Sequence, residues 1–201
     1  MLWKQFGLCL VVIFSLLHTS AASAIILSFD PSDQTVQLGN PVSVDLRISD
    51  LGDDILTGFD LDISFDDSIL GFQSFTFGTG LDVFGLGFNF TDVMDLGGGV
   101  VNVFELSLDF DLDLMLFQPD DFVLGTFDFS TLSLGTSALD ISFALLSGEY
   151  DAFGFATELH ADLRAGSVTV SVIPVPAAVW LFGTGLVGLI GFGKRRKVIQ
   201  Q

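Results

Sequence analysis

This 201-residue chain has little cysteine and few cationic side chains. Its only cysteine, Cys9, lies within the first 24 residues, so residues 25–173 contain neither a thiol nor a disulfide. This excludes cysteine nucleophiles and thiol redox chemistry from that segment. Only Arg47 and Arg164, of seven lysines and arginines, lie there against all 25 carboxylates, which gives a net charge of −23. Such a surface repels phosphate backbones and excludes nucleic acid as a partner.

Histidine is also scarce, since His160 is the only one after residue 24. Glu158 and Asp162 flank it at alternating positions, which predicts all three side chains on one strand face. A catalytic zinc needs about three protein ligands, and no second histidine or cysteine is at hand, so we favour a solvated histidine beside acids. The Gly-x-Ser-x-Gly turn of serine hydrolases is missing too. Carboxylates are too abundant for any pair to mark a glycosidase, and we predict that the protein is not an enzyme.

The carboxylates provide the only candidate cofactor site, one for calcium. Asp109, Asp111 and Asp113 have the Asp-x-Asp-x-Asp spacing of a calcium loop, but Leu114 and Asp120 replace its glycine and its final glutamate. Strand alternation would space those three carboxylates by about 6.6–6.8 Å on a charged outer face, which deters aggregation. Pairs in predicted loops are better candidates for a structural calcium: Asp53, Asp54, Asp66, Asp67, Asp120 and Asp121.

Residues 25–173 alternate between apolar and polar side chains. The segment 41–48, PVSVDLRI, places four aliphatic side chains on one face and polar ones on the other. The same pattern predicts strands at 58–65 and 108–114, and shorter ones at 25–29, 70–77, 99–106, 123–129, 138–145 and 167–172. Turn residues at 30–33, 38–40 and 97–99 separate them, and no helical stripe is evident outside the two termini. About nine strands predict one all-β domain, an antiparallel sandwich.

The spacing of apolar and turn residues also resembles the opening of cohesin-like domains. The matching positions are Val36-x-Leu38-Gly39-x-Pro41-Val42-x-Val44 and Leu56-x-Gly58-Phe59-x-Leu61-x-Ile63-x-Phe65-Asp66-Asp67-Ser68-Ile69-Leu70. Residues 127–141 are similar to the family's closing element. The resemblance implies a nine-stranded jelly-roll sandwich. The best-known members of that family bind dockerin modules through one sheet face, while relatives are carbohydrate-associated or surface-display modules.

The N-terminus has the three regions of a secretory signal peptide. Lys4 precedes an apolar run over 6–17, and small residues follow, ending at Ala22-Ser23-Ala24. This order predicts that residues 1–24 are a signal peptide, with cleavage after Ala24 at the Ala22-x-Ala24 site.

The C-terminus has the composition of a membrane anchor. Residues 177–193 carry no charge, and the four cations Lys194, Arg195, Arg196 and Lys197 follow at once. The run is just long enough for a transmembrane helix, which needs about 17–25 residues. The basic end, 194–201, should stay in the cytoplasm, so the domain would be exported. Length and charge alone also fit an ordinary single-pass anchor.

The whole segment 174–201 resembles the PEP-CTERM sorting signal. The resemblance rests on Pro174, Val175, Pro176, Ala177, Ala178 and Trp180, then the apolar helix and the basic cluster. Val175 replaces the central glutamate of the motif. The resemblance implies processing by exosortase. It also implies an inner-membrane-anchored precursor that ends at the surface or in the extracellular matrix of a Gram-negative bacterium.

These patterns favour an exported, non-catalytic protein with a structural or adhesive role in a biofilm or exopolysaccharide. The alternative is a membrane-anchored binding module for a carbohydrate or for a surface protein that resembles a dockerin. Exposed aromatic side chains on a sheet face would favour the binding module, and smooth carboxylate faces would favour the structural role.

Overall fold

A computed structural model of the protein describes residues 24–172. Residues 1–23 of the predicted signal peptide, which include Ala22, and the whole predicted sorting signal, residues 174–201, lie outside the described residues. The described range forms twelve strands and one short helix. Nowhere in residues 24–172 is there a helix with the length and apolarity to span a bilayer.

The elements follow one another along the chain with mostly short connections. They are β1 (Ile25–Asp30), β2 (Asp33–Gln37), β3 (Pro41–Ser49), β4 (Gly58–Ser64), β5 (Leu70–Phe77), β6 (Asn89–Asp95), β7 (Val100–Ser107), α1 (Asp111–Phe117), β8 (Phe122–Thr131), β9 (Gly135–Tyr150), β10 (Ala156–Leu159), β11 (Ala161–Leu163) and β12 (Gly166–Ser171).

The strands form two sheets. One has the order β11-β1-β3-β8-β5, and the other has the order β2-β12-β9-β4-β7-β6, with β10 beside the end of β9. Neighbours are antiparallel except for β1 with β11 and β12 with β2. β1 and β2 lie in different sheets, so the chain crosses between layers at the turn Pro31-Ser32.

The core lies between the two sheets, where the alternating apolar side chains meet. In β3, Val42, Val44, Leu46 and Ile48 are buried while the residues between them are exposed or half-buried. The opposite sheet contributes buried side chains such as Phe59, Leu61 and Val103. Phenylalanine rings fill much of the space, and the rings of Phe75 and Phe127 have centroids only 4.5 Å apart. Both sheets and this core are formed within residues 25–171, so the segment is a self-contained folding unit.

The register places α1 and Ser171, the last residue of β12, at opposite ends of the sandwich. Gly58 pairs with Leu106 and Ser147, and α1 follows β7 directly at that end. Ser171 lies at the other end, because Val170 pairs with Gly135 at the start of β9. The end formed by α1 and its neighbouring loops is called the α1 end below.

Eight of the nine predicted strand segments are strands, and that over residues 70–77 coincides with β5. The prediction missed β2, β6, β10 and β11. Three of these, β2, β6 and β11, lie at sheet edges, and β6 carries exposed or half-buried side chains throughout. An edge strand needs no continuous buried face, so its sequence alternates weakly.

The predicted strand over 108–114 is wrong, as is the expectation of no helix between the termini. Asp111–Phe117 forms α1, with Leu114 buried and both Asp111 and Asp113 in its first turn, where carboxylates are favourable. Asp109 accepts a hydrogen bond from the backbone N–H of Val83, and Asp111 accepts one from that of Tyr150. Those contacts hold the two carboxylates against neighbouring loops, so they do not line one face of a strand.

Candidate functional site

The outer face of the sheet formed by β6, β7, β4 and β9 has a polar centre. Asn102 lies opposite Asp62 and next to Asp60 on β4. Its Nδ2 donates to Oδ1 of Asp60 at 2.6 Å and to Oδ1 of Asp62 at 2.8 Å. Both amide hydrogens are thereby used, and each carboxylate keeps a second oxygen that accepts no bond from Asn102.

Apolar side chains surround this centre on the same face. The strand register places Phe90 opposite Leu106, Phe104 opposite Asp60, and Met94 opposite Asn102. On β9, Leu145 lies opposite Asp60, and Phe143 opposite Asp62. The exposed fractions are 61% for Phe90, 50% for Met94 and 47% for Phe143. We call this surface, made of these six apolar side chains around Asp60, Asn102 and Asp62, the Asn102 face.

The outer face of the opposite sheet is polar and bonded to itself. Ser43 donates to Asp128 at 2.5 Å, and Thr126 donates to Asp45 at 2.6 Å. Ser74 reaches the other oxygen of Asp128 at 3.3 Å. Hydroxyls and carboxylates on this surface therefore satisfy one another, whereas the Asn102 face presents apolar groups to solvent.

A buried carboxyl lies beneath the Asn102 face. Glu105 points inward from β7, in phase with Val101 and Val103, and is only 1% exposed. Asn89 on β6 donates to its Oε1 at 2.7 Å. Burial raises the pKa of Glu105 to about 7; the hydrogen bond from Asn89 opposes this shift, and the charge of Asp82 adds to it. The group therefore titrates near neutral pH.

The predicted grouping of Glu158, His160 and Asp162 on one strand face is wrong. Glu158 lies on β10 and pairs with Ser147 of β9, whereas Asp162 lies on β11 and pairs with Ile26 of β1. The chain moves from one sheet to the other at His160, so alternation does not run through it. Asp162 forms an ion pair with Arg164 at 2.7 Å, and His160 is exposed.

Three of the six calcium candidates bind protein hydrogen-bond donors. Asp66 accepts from the hydroxyl of Ser68 at 2.6 Å and from its N–H at 3.0 Å, and these bonds lower the pKa of Asp66. Asp120 accepts from the N–H of Gly52, and Asp121 pairs with Arg47 at 2.6 Å. Asp53, Asp54 and Asp67 are exposed.

Residues 24–172 contain no cluster of three acidic, histidine or cysteine side chains able to hold a metal. The calcium-loop spacing over Asp109, Asp111 and Asp113 is also split, since Asp109 precedes α1 and the other two lie in its first turn. A calcium ion at one of the loop pairs stays a prediction, and it would need backbone carbonyls or water as further ligands.

Solved structures with a similar fold exist, although no protein-family model and no curated protein matches the sequence. The seventh ScaB type I cohesin from Pseudobacteroides cellulosolvens is 15% identical with a TM-score of 0.60, over 76% of this chain and 96% of that one. The sixth cohesin of Acetivibrio cellulolyticus scaffoldin B, solved in complex with a Cel5 dockerin mutant, is 19% identical with a TM-score of 0.58. That match covers 74% of this chain and all of the other. The fold is cohesin-like.

The cohesin-like fold is shared beyond cellulosomal proteins. A non-cellulosomal cohesin from the archaeon Archaeoglobus fulgidus matches with a TM-score of 0.51 at 15% identity, over 77% of this chain and 94% of that one. At these identities the comparison establishes the fold, and the predicted jelly-roll sandwich is confirmed. It assigns no partner to the Asn102 face, because function resides in particular side chains and not in the fold.

The sequence contains signals for the Asn102 face that the alternation of polar and apolar residues did not reveal. In VVNVFELS, residues 100–107, both alternating sets include large apolar residues, which indicates a strand with apolar side chains on both faces. Glu105 was detectable as a carboxylate in phase with Val101 and Val103. The pairing of Asn102 with Asp60 and Asp62 depends on the β4–β7 register, and residue spacing alone does not give it.

Proposed function

We propose that this cohesin-like module is a non-catalytic binding domain that docks a partner protein on the Asn102 face. The observation that carries the proposal is the difference between the two outer surfaces. One is polar and internally bonded, while the other exposes phenylalanine, leucine and methionine around two carboxylates. Exposed aromatic side chains on a sheet face favour the binding module over a smooth structural surface.

The chemistry of the face defines the partner. Aromatic and methionine side chains are typical of interface centres, so the partner should present an apolar patch of its own. The free oxygens of Asp60 and Asp62 require donors once water is displaced, because an unpaired buried carboxylate is costly. A partner with an arginine, a lysine or hydroxyl groups at the middle of an apolar surface meets both requirements. Dockerin modules are the first partners to test, since a structural relative was solved with one.

Photo-crosslinking in the producing cells tests this proposal on the full chain. A photoreactive phenylalanine analogue replaces Phe143 on the Asn102 face, and Thr169, on the outer side of β12 in the same sheet, is the matched control position. We expect a discrete protein adduct from position 143 that is absent from position 169. We also expect Asp60→Lys with Asp62→Lys to abolish it.

Two results would overturn the proposal. Equal adducts from both positions would mean non-specific contact, and a carbohydrate adduct at position 143 would assign the face to a polysaccharide. The second result would restore the structural or adhesive role in an exopolysaccharide matrix.

We also propose that the module reaches the cell surface through its C-terminal segment, processed by exosortase. Support comes from the order of Pro174-Val175-Pro176, the uncharged residues 177–193 and the cations Lys194–Lys197 in the sequence. The test is the intact mass of the protein recovered from the cell surface, with an exosortase-deficient strain as the control. Loss of the helix and basic end only in the presence of exosortase supports the proposal. A tail retained to Gln201 in both strains would indicate a plain membrane anchor.

A further inference from the structure

The α1 end carries a second set of exposed apolar side chains, none of which belongs to the Asn102 face. On α1, Leu112, Leu116 and Phe117 are 63%, 64% and 57% exposed, and Phe110 just before it is 79% exposed. Phe84, in the loop before β6, packs its ring edge against Phe117 with 5.4 Å between centroids. Contiguous apolar patches of this kind mark interaction sites on soluble proteins.

A neighbouring loop extends this surface. Phe153 and Phe155 are 86% and 71% exposed, in the loop that follows β9. Tyr150 ties this loop to α1, because its backbone N–H donates to Oδ2 of Asp111 at 3.0 Å. We call the combined surface the α1 patch. It is defined by Phe84, Phe110, Leu112, Met115, Leu116, Phe117, Phe153 and Phe155.

Carboxylates hold these loops in shape from within. Asp82 accepts from the N–H groups of Leu86 and Gly87 at 2.9 and 2.8 Å. Asp151 accepts from those of Phe153 and Phe155 at 2.8 and 2.9 Å. The polar groups therefore face the backbone and the aromatic rings face solvent. A surface fixed in this way loses little conformational entropy when a partner binds.

A cavity of about 330 Å³ opens beside the patch. Phe117, Pro119, Phe122 and Val83 form its apolar walls, and Thr79 supplies a hydroxyl. The loop approaches β8 so closely at Gly80 that a Cβ there would lie 2.1 Å from the ring of Phe122. The volume is at the small end of the range for ligand pockets, about 300–1,000 Å³, and suits one large apolar side chain of a partner.

The charge around the α1 patch identifies the occupant. Residues 78–88, 108–122 and 147–155, which form α1, the loops beside it and the end of β9, contain no lysine or arginine and eight carboxylates. Arg47, which reaches this end, is paired with Asp121. Anionic lipid headgroups and a second copy of the same domain would both be repelled. A segment that is both apolar and cationic is complementary to this surface.

We propose that the α1 patch binds a cationic amphipathic helix, with one apolar side chain inserted in the cavity beside Phe117. Helices of this kind lay an apolar stripe into a groove at positions i, i+3, i+4 and i+7. Exposed Met115 and Leu116 provide the adaptable apolar contacts that such helices use. Glu149, exposed at the end of β9, and Asp113 of α1 then face the cationic side of the helix.

The probe is a fluorescently labelled 14-residue peptide of leucine and lysine whose sequence places the leucines on one face of a helix. Its affinity for the folded segment 24–172 is measured. The matched control peptide has the same composition in an order without an apolar face. We expect Phe117→Ala to weaken binding of the amphipathic peptide by about tenfold or more, as for loss of a central aromatic contact. Leu134→Ala, in the turn between β8 and β9 at the opposite end of the sandwich, removes an exposed apolar side chain outside both surfaces and should leave the affinity unchanged. Thermal melting of both variants establishes that they are folded.

Several outcomes would overturn the proposal. Equal affinity for the two peptides would reduce the binding to general charge attraction, and equal weakening by Phe117→Ala and Leu134→Ala would show that the α1 patch is not the site. A dimer of the segment that dissociates in Phe117→Ala would assign the patch to a second copy. Flotation with phosphatidylcholine vesicles, lost in the same variant, would assign it to lipid. None of these results bears on a partner at the Asn102 face, so the two proposals fail independently.

Discussion

Asn89 donates a 2.7 Å hydrogen bond to Glu105, a carboxyl that is 1% exposed between the two sheets. The bond joins the edge strand β6 to the inward side of β7, directly beneath the Asn102 face. Protonation of Glu105 therefore affects both the packing of the core and the attachment of the edge strand β6 to β7.

The stability of the protein should depend on the proton of Glu105. Its pKa is raised from 4.5 to about 7 in the folded protein. Between those values the folded state holds a proton that the unfolded chain has released, so stability falls as pH rises through this window. The total is on the order of 3 kcal/mol, at about 1.4 kcal/mol per pH unit.

Glu105→Gln removes this dependence and keeps an oxygen that can accept from Asn89. We expect the variant to be more stable than the parent at pH 8 and close to it at pH 4.5. Urea unfolding of both proteins between pH 4.5 and 8.5 measures the difference. A difference that does not change with pH would show that Glu105 is already ionised at the lower pH.

Replacing Asn89 by leucine should raise the pKa of Glu105 further. The Asn89 side chain supplies the hydrogen bond that lowers this pKa, and leucine keeps the volume without the donor. Carbon-detected NMR titration of the Glu105 carboxyl reads the value directly. Asn102→Ala, on the outer side of the same sheet, is the control and should leave it unchanged. A lower pKa in Asn89→Leu would mean that water has entered the site.

The side chain of Gln118 should be the main contact that holds α1 against the loops containing Leu56 and Gly80. Its side chain accepts from the N–H of Leu56 at 2.8 Å and donates to the carbonyls of Leu56 and Gly80 at 2.8 and 2.9 Å. Gln118→Ala leaves these part-buried groups unpaired and should destabilise the fold by about 1–3 kcal/mol. Denaturant unfolding measures it against Gln73→Ala, an exposed glutamine that donates to the carbonyls of Gly71 and Phe72 and to the hydroxyl of Ser130 at the protein surface. Equal effects from the two variants would contradict this role.

Gly125 in β8 should tolerate no side chain. A Cβ there would lie 2.2 Å from the ring of Phe75 and 2.7 Å from the carbonyl oxygen of Thr76. Gly125→Ala therefore forces the ring or the strand to move and should cost about 1–3 kcal/mol, as overpacked cores do. The melting temperature and urea midpoint report this loss, with exposed Thr76→Ala as the comparison at about 0.5 kcal/mol or less. A parent-like melting temperature would show that the Phe75 ring can move aside.

The sequence predicted the strands whose two faces differ most. β3 and β4 alternate between buried aliphatic residues and Ser, Asp or Arg, and each was predicted to within one residue of its observed limits. The pattern failed at DFDLDLMLF, residues 109–117, where alternation and a short helix fit the same letters. The choice between strand and helix depends on the hydrogen-bond donors available to Asp109 and Asp111. These donors are the N–H groups of Val83 and Tyr150. Such contacts join residues 26 and 39 positions apart, beyond the reach of local spacing.

The candidate site was less predictable than the fold. The sequence drew attention to runs of aspartate, whereas the Asn102 face depends on residues from four strands brought together by register. Asp60 and Asp62 look like ordinary solvent-facing positions of β4 until Asn102 is placed opposite them. Glu105 and the apolar residues on both sides of β7 could have been predicted from the sequence. A strand with apolar residues at both alternating sets of positions cannot bury all of them in one core.

β12 has a mechanical consequence for a protein held by its C-terminus. It is hydrogen-bonded along its length on both sides, to β2 over five residues and to β9 over five. β9 continues for 16 residues towards the α1 end, a length of about 50 Å at roughly 3.3 Å per residue. A pull between Ser171 and a partner at the α1 end would run nearly parallel to these strands. The hydrogen bonds of β12 would then be loaded together in shear and would not open one after another, so the sandwich should resist unfolding under tension along this direction.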